Sequence, residues 1–200
     1  MNNNKMSRSA ANLDIFARVG SRIAFAAGIV CIVTAFLTLI FGNKMFTGGA
    51  MTLDLDFIKF HLNENTYVNE QFLKLYVSAA TLGGSILCFL LSYIFKLFRE
   101  ILSPMKAGRP FEKGISEHLK KVGWAVLIGG LLSELVGIGA RLLLIKAYSL
   151  HELFSSSVIA KTEFVFTMNF DFVLLACAIF LLSYVFTYGQ VLQQDSDETL

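Results

Sequence analysis

The sequence predicts an all-α transmembrane fold, a four-helix bundle assembled from two helix–outer loop–helix repeats. Three observations carry that expectation. Hydrophobic residues make up 55% of the 200 positions and charged residues only 16%, against about 45–50% and 25% in an average soluble domain. Four windows approach or exceed the roughly 20 apolar residues needed to cross about 30 Å of hydrocarbon. Only 2 prolines accompany 19 phenylalanines, which suits long apolar helices. The same numbers exclude a disordered chain, which needs low hydrophobicity and high charge. A net charge of +2 is too small to mark direct nucleic-acid binding.

The spans fall in order along the chain. The first covers 23–41 and carries no charge, and the second covers 75–95, also uncharged. The third covers 122–144 and holds Glu134 and Arg141; the fourth covers 172–188, again uncharged. Helices are expected because an open strand in lipid leaves its amides unpaired. The first span is longer than the roughly 7–15 apolar residues of a signal peptide and has no clear small-residue cleavage site after it, so it is expected to stay in the protein. The chain therefore divides into an N-terminal segment, 1–22, and a four-span membrane domain, 23–200, with a loop at 96–121 and a tail at 189–200.

Orientation follows from Lys and Arg in the flanks. Lys5, Arg8, Arg18 and Arg22 precede the first span, and Lys96, Arg99, Lys106, Arg109, Lys113, Lys120 and Lys121 separate the second from the third. The other two loops hold Lys44, Lys59, Lys74, Lys146 and Lys161. The excess places the N-terminus, the 96–121 loop and the C-terminus in the cytoplasm.

An internal echo supports the two repeats. Span two ends Phe89-Leu90-Leu91-Ser92-Tyr93-Ile94-Phe95 and span four ends Phe180-Leu181-Leu182-Ser183-Tyr184-Val185-Phe186. A weaker echo sets Arg18-Val19-Gly20 against Lys121-Val122-Gly123. In the outer loops, Thr52-Leu53-Asp54-Leu55-Asp56-Phe57 alternates polar and apolar, the period of a half-buried strand. The segment 161–170 is rich in β-branched and aromatic residues. Two arrangements fit: one strand from each outer loop pairing into a small β cap, or irregular amphipathic loops on the lipid headgroups.

Small residues mark where helices approach closely in lipid. Ala80, Gly84, Cys88 and Ser92 form such a stripe on span two, Gly129, Ser133 and Gly137 on span three, and Ala27, Cys31 and Ala35 on span one. They predict a tight bundle in which spans two and three meet.

Glu134 stands midway along the third span, where an acid costs about 2.5–3.5 kcal/mol on insertion scales. Arg141 lies seven positions on, about 10.5 Å along a helix axis. In one reading the two form an intramembrane pair that relays protons or balances a ligand's charge. In the other, Glu134 bonds a Ser or Tyr of a neighbouring helix and Arg141 snorkels to the headgroups.

No soluble-style active site is apparent. Cys31, Cys88 and Cys177 are dispersed without a paired-cysteine motif, which suggests neither zinc nor redox chemistry. His61, His118 and His151 read as surface histidines. There is no Walker loop, nucleophile elbow or zincin helix, so the chain reads as non-enzymatic, without a cofactor or metal. The 96–121 loop is the best candidate partner surface. Phe111, Ile115, Leu119 and Val122 follow a helical stripe with Lys113, Glu117, Lys120 and Lys121 off it. That helix suits either anionic lipid or a cytoplasmic protein, with Arg109, Phe111, Lys113, Lys120 and Lys121 as the candidate contact residues.

The loop Pro104-Met105-Lys106-Ala107-Gly108-Arg109-Pro110-Phe111, the following Leu119-Lys120-Lys121-Val122-Gly123, and the ending 185–200 with its Phe186-x-x-Gly189-x-x-Leu192-Gln193 pattern and acidic tail resemble the bacterial four-helix membrane family catalogued as domain of unknown function 2975. The resemblance covers most of the chain from span one onward. It implies a bacterial cytoplasmic membrane and a regulatory pairing with a helix-turn-helix transcription regulator, since such a regulator is often encoded beside family members. It brings no activity and no catalytic residues, and Glu134 and Arg141 are not part of its pattern. The expected function is a membrane regulator or sensor, with the lipid bilayer and a soluble regulator as partners. A small transporter or channel using Glu134 and Arg141 is the alternative, and association into a homo-oligomer is compatible with both.

Overall fold

A computed structural model describes residues 3–45, 52–55, 58–61, 69–107, 112, 114–148 and 168–198, with side chains at 10–42 in the first helix, none in the two short strands and none at 197. Its elements are α1 (Asn3–Met45), β1 (Thr52–Leu55), β2 (Ile58–His61), α2 (Glu70–Lys106), α3 (Ile115–Ala147) and α4 (Asp171–Glu198). All four helices are long and apolar enough to cross a membrane. The shares of their apolar windows buried inside the protein are only 22%, 17%, 6% and 11%. Most of that apolar surface therefore needs an apolar medium to cover it, and the chain is compatible with a multi-pass membrane protein.

The helices outrun the membrane. At about 1.5 Å per residue, the 43 residues of α1 extend about 64 Å and the 37 of α2 about 55 Å, roughly twice the hydrocarbon thickness. Segment 1–22 is thus helical from Asn3 and continuous with the span after it. The expected 96–121 loop is largely helix too: α2 runs on to Lys106 through Pro104, and α3 starts at Ile115. The turn before α3 uses Gly114, whose φ of 105° is open to glycine and strained for other residues. Asparagines cap two helices. The Asn69 side-chain oxygen accepts from the Gln71 and Phe72 amides at 3.2 and 3.4 Å, and the Asn169 oxygen accepts from the Asp171 amide at 2.9 Å. Both satisfy amides that a helix start leaves orphaned.

Contacts group the chain into two compact units. The first comprises 1–29, 85–134 and 168–200 and draws on all four helices. Its apolar core joins Leu97 and Ile101 of α2 to Ile115 and Val122 of α3, with Ile94, Met105, Leu119, Val126, Ile179 and Phe186 packed against them. Ile115, Leu119 and Val122, the described residues of the amphipathic stripe before span three, therefore face this core and not a lipid surface. Within this unit Ser92 and Ser183, the serines of the two echoing segments, each bond a neighbouring helix. The Ser92 hydroxyl of α2 donates to the Ser21 carbonyl of α1 at 3.0 Å, and the two hydroxyls lie 3.0 Å apart. The Ser183 hydroxyl of α4 donates to the Ser116 carbonyl of α3 at 2.8 Å. Phe89 of α2 lies on Gly28 of α1, where a methyl group would sit 3.0 Å from the ring. Phe180 of α4 lies on Gly123 of α3, where it would sit 2.7 Å away. By contact, then, Gly123 corresponds to Gly28; Gly20, set against it in the weaker echo, meets Phe95 instead.

The second unit comprises 30–84 and 135–167. Gly84 of α2 meets Cys31 of α1, and Gly83 meets Val136 of α3. Adjacent glycines thus serve two different helices. The predicted stripe of span two turns toward span one in both units, through Gly84 here and Ser92 in the first. Spans two and three do meet, as expected, through Gly129 of the predicted span-three stripe with Leu90, and through Gly83, outside the predicted span-two stripe, with Val136. The Asn69 amide donates to the Ala147 carbonyl at 2.8 Å, joining the start of α2 to the end of α3. β1 and β2 pair antiparallel, with Thr52 opposite His61 and Leu55 opposite Ile58. The strand expected in the first outer loop is therefore present, with its neighbour in the same loop. Pairing with 161–167 lies outside the described residues.

Candidate functional site

The most organised polar site is in the first unit, around Asp14. This carboxylate lies nine residues ahead of Ile23, where the uncharged stretch of α1 begins, and its side chain is only 8% exposed. Burying a carboxylate is costly unless it is paired and hydrogen-bonded, and here both oxygens are engaged. The Lys106 ammonium lies 2.6 Å from Oδ2. Arg99 donates through Nε to Oδ1 at 3.2 Å, and Arg18 through a terminal nitrogen to Oδ2 at 3.3 Å. Arg18 comes from the next turn of α1, the i,i+4 neighbour. Arg99 and Lys106 lie on one face of the last turns of α2, which also carries Lys96, Glu100 and Ser103. The Lys106 ammonium, with Arg99 and Arg18 beside it, holds the Asp14 carboxyl below the ordinary carboxylate range against the opposing effect of burial.

Asp14, Arg18, Lys96, Arg99, Glu100, Ser103 and Lys106 line a cavity of about 360 Å³. Four cations face two carboxylates there. Glu100 is also tied to α3: its carboxylate lies 2.8 Å from Nε2 of His118, whose Nδ1 is 2.7 Å from the Gly114 carbonyl oxygen. Both ring nitrogens face acceptors, so both bonds form together only when both nitrogens carry hydrogen. His118 is thus a bridge between α2 and the start of α3 and not the plain surface histidine expected.

The residues singled out from sequence are placed as follows. Glu134 is half-buried in α3 and Arg141 is exposed; neither has a hydrogen bond or ion pair to another described residue. Lys120 and Lys121 are exposed on α3 beside Glu117. Arg109, Phe111 and Lys113 lie outside the described residues. The described cysteines are free thiols, and the described residues contain no cluster of three or more His, Cys, Asp or Glu suited to a metal. The Asp14 site joins cations from two helices, which the spacing along either helix does not reveal. The available signal was an acid four residues before Arg18, with the basic residues of 96–106 at helical spacing.

Compared with protein-family models, curated proteins and solved structures, the chain matches none. What the structure provides is four helices long and apolar enough to cross a membrane, with a polar helical end braced by ion pairs.

Proposed function

We propose that this chain is a non-enzymatic regulator or sensor of the bacterial cytoplasmic membrane, with both termini in the cytoplasm, working with a soluble helix-turn-helix transcription regulator. The observation that carries the reading is the polar extension of the helices beyond their apolar spans, cross-braced between neighbours. Asp14 ties α1 to α2, Glu100 and His118 tie α2 to α3, and the Gln190 amide of α4 donates to the Glu112 carbonyl ahead of α3 at 2.9 Å. Holding apolar spans together in lipid does not require a braced polar end; presenting a fixed surface to a soluble protein does. Exposed Glu117, Lys120 and Lys121 on α3, and exposed Gln193, Gln194 and Asp195 on α4, offer that surface. The hairpin β1–β2 is the corresponding sensing element outside.

The test is co-purification of the full chain, in mild detergent, with the regulator encoded beside it. Retention of that regulator is expected, with loss on combined Lys120→Glu and Lys121→Glu. Absence of a DNA-binding neighbour, or no retention, overturns the reading. Glu134 supports a second reading, transport, because it stands midway along α3 without a hydrogen bond or ion pair to a described residue. Intramembrane acids commonly mark ion pathways. Proton-coupled flux in liposomes that disappears in Glu134→Gln supports this alternative; flux unchanged by the substitution removes it.

A further inference from the structure

We infer that the cavity between the start of α1 and the end of α2 binds a phosphate-bearing anion, and that its source is the headgroup of an acidic phospholipid. The first argument is charge. Arg18, Lys96, Arg99 and Lys106 face Asp14 and Glu100 around the cavity, leaving two formal positive charges in excess. Both acids are already engaged, Asp14 by three cations and Glu100 by His118. Lys96 forms no ion pair with any described residue. Arg99 spends only its Nε hydrogen on Asp14. That leaves the planar end of the guanidinium, the part whose geometry matches phosphate oxygens. Asp14 has a definite role here: it orients the cations so that their remaining donors converge.

The second argument is depth. Lys96 directly follows Phe95, the last residue of the uncharged stretch of α2, and Arg18 lies five residues before Ile23. At about 1.5 Å per residue, Arg18 and Arg99 lie roughly 5–8 Å beyond the hydrocarbon, where lipid phosphates are found. Exposed aromatic side chains sit just inside the ends of the apolar stretches, as is usual near a membrane interface: Tyr93 is 45% exposed and Trp124 57%. The third argument is the neighbouring apolar wall. Phe95 makes an edge-to-face contact with Phe16, ring centroids 6.2 Å apart, and Phe16 stays 68% exposed. Both rings belong to residues close in sequence to the cavity's cations, Phe16 two positions from Arg18 and Phe95 next to Lys96, and supply apolar surface for the acyl half of a phospholipid. A volume of about 360 Å³ is at the small end of the roughly 300–1,000 Å³ range of ligand pockets, enough for a headgroup.

The inference rests on the membrane reading and does not depend on a transcription regulator. It is tested with the full chain in neutral detergent micelles, measuring binding of short-chain phosphatidylglycerol, short-chain phosphatidylcholine and inorganic phosphate. Phosphatidylglycerol is expected to bind saturably and phosphatidylcholine at least about tenfold more weakly. Combined Lys96→Gln and Arg99→Gln is expected to weaken phosphatidylglycerol about tenfold or more. Lys96→Gln alone, at an exposed residue with no bond to Asp14, keeps the fold and is expected to weaken it several-fold. Lys120→Gln with Lys121→Gln, at exposed cations outside the cavity, is expected to change it less than about twofold. Equal losses from the two double variants would mean diffuse charge attraction and overturn the site. So would an absence of binding by both phosphatidylglycerol and inorganic phosphate. Inorganic phosphate binding as tightly as phosphatidylglycerol, with the same dependence on Lys96 and Arg99, keeps the anion site and overturns the lipid as its source.

Discussion

Helix pair α1–α2 and helix pair α3–α4 share one fastening and differ at their polar ends. In each pair, a serine of the second helix donates to a backbone carbonyl of the first, and a phenylalanine three residues earlier covers a glycine. Beyond that fastening the pairs diverge. The α1–α2 end places Asp14 among Arg18, Arg99 and Lys106 around an open cavity. The α3–α4 end makes a neutral bond from Gln190 to the Glu112 carbonyl and continues into an acidic tail. The shared part closes the helices together; the divergent part gives each pair its own charge. Packing requirements therefore account for what the pairs hold in common, and the polar ends, free of that requirement, are where their charge differs.

The comparison breaks most visibly at the glycines. Gly123→Leu drives a side chain into Phe180 and is expected to cost about 1–3 kcal/mol, the usual penalty of overpacking; thermal unfolding in mild detergent reads it. Gly28→Ala, where the first atom of the new side chain meets the edge of a movable ring at 3.0 Å, is expected to cost less than half as much. Asp14→Ala leaves three cations facing one another without their acid, with an expected loss of about 1–3 kcal/mol, whereas Gln190→Ala changes stability by less than about 0.5 kcal/mol at its half-exposed site. Ser183→Ala removes a fully buried donor and is expected to cost about 0.6–1.7 kcal/mol, the measured scale for hydrogen bonds between membrane helices. Ser92→Ala should come out at or below the low end, since Ser92 is only part-buried.

The smallest effect is pH dependence. The Asp14 carboxyl is held below its ordinary range, so its contribution is fully present above the unfolded-state value of about 3.9. That contribution is lost as the pH falls through the lower folded value. The melting temperature is therefore expected to fall on acidification below about pH 4, with a shallower fall in Asp14→Asn.

The spans were legible because length and apolarity are local properties, and each window carries them without reference to the others. The Ser-Tyr echo was legible for the same reason. The glycine equivalence was not: Gly20 and Gly123 share a local basic-Val-Gly context, but the ring that covers a glycine comes from another helix, and only the packing reveals that Gly28 is the match. The Asp14 site depends on the same kind of information. Lys96, Arg99 and Lys106 lie on one face of α2 at helical spacing, yet their convergence on Asp14 depends on the register between two helices. The strand at 52–55 was readable from alternation, while its pairing with 58–61 is a choice of partner that alternation alone does not specify. The stripe Ile115, Leu119 and Val122 announced a buried face without saying whether protein or lipid would cover it.

The spacing of the fastening has an evolutionary consequence. Ser21 and Gly28 stand seven positions apart, as do Ser116 and Gly123, while each partner helix holds its phenylalanine and serine three apart. One inserted or deleted residue within either interval turns everything beyond it by about 100° and carries one half of the clasp away from its mate. Length changes should therefore be purged from 21–28, 89–92, 116–123 and 180–183 and accumulate at the joints between helices, so that related chains would keep these intervals even after most of their apolar side chains had drifted.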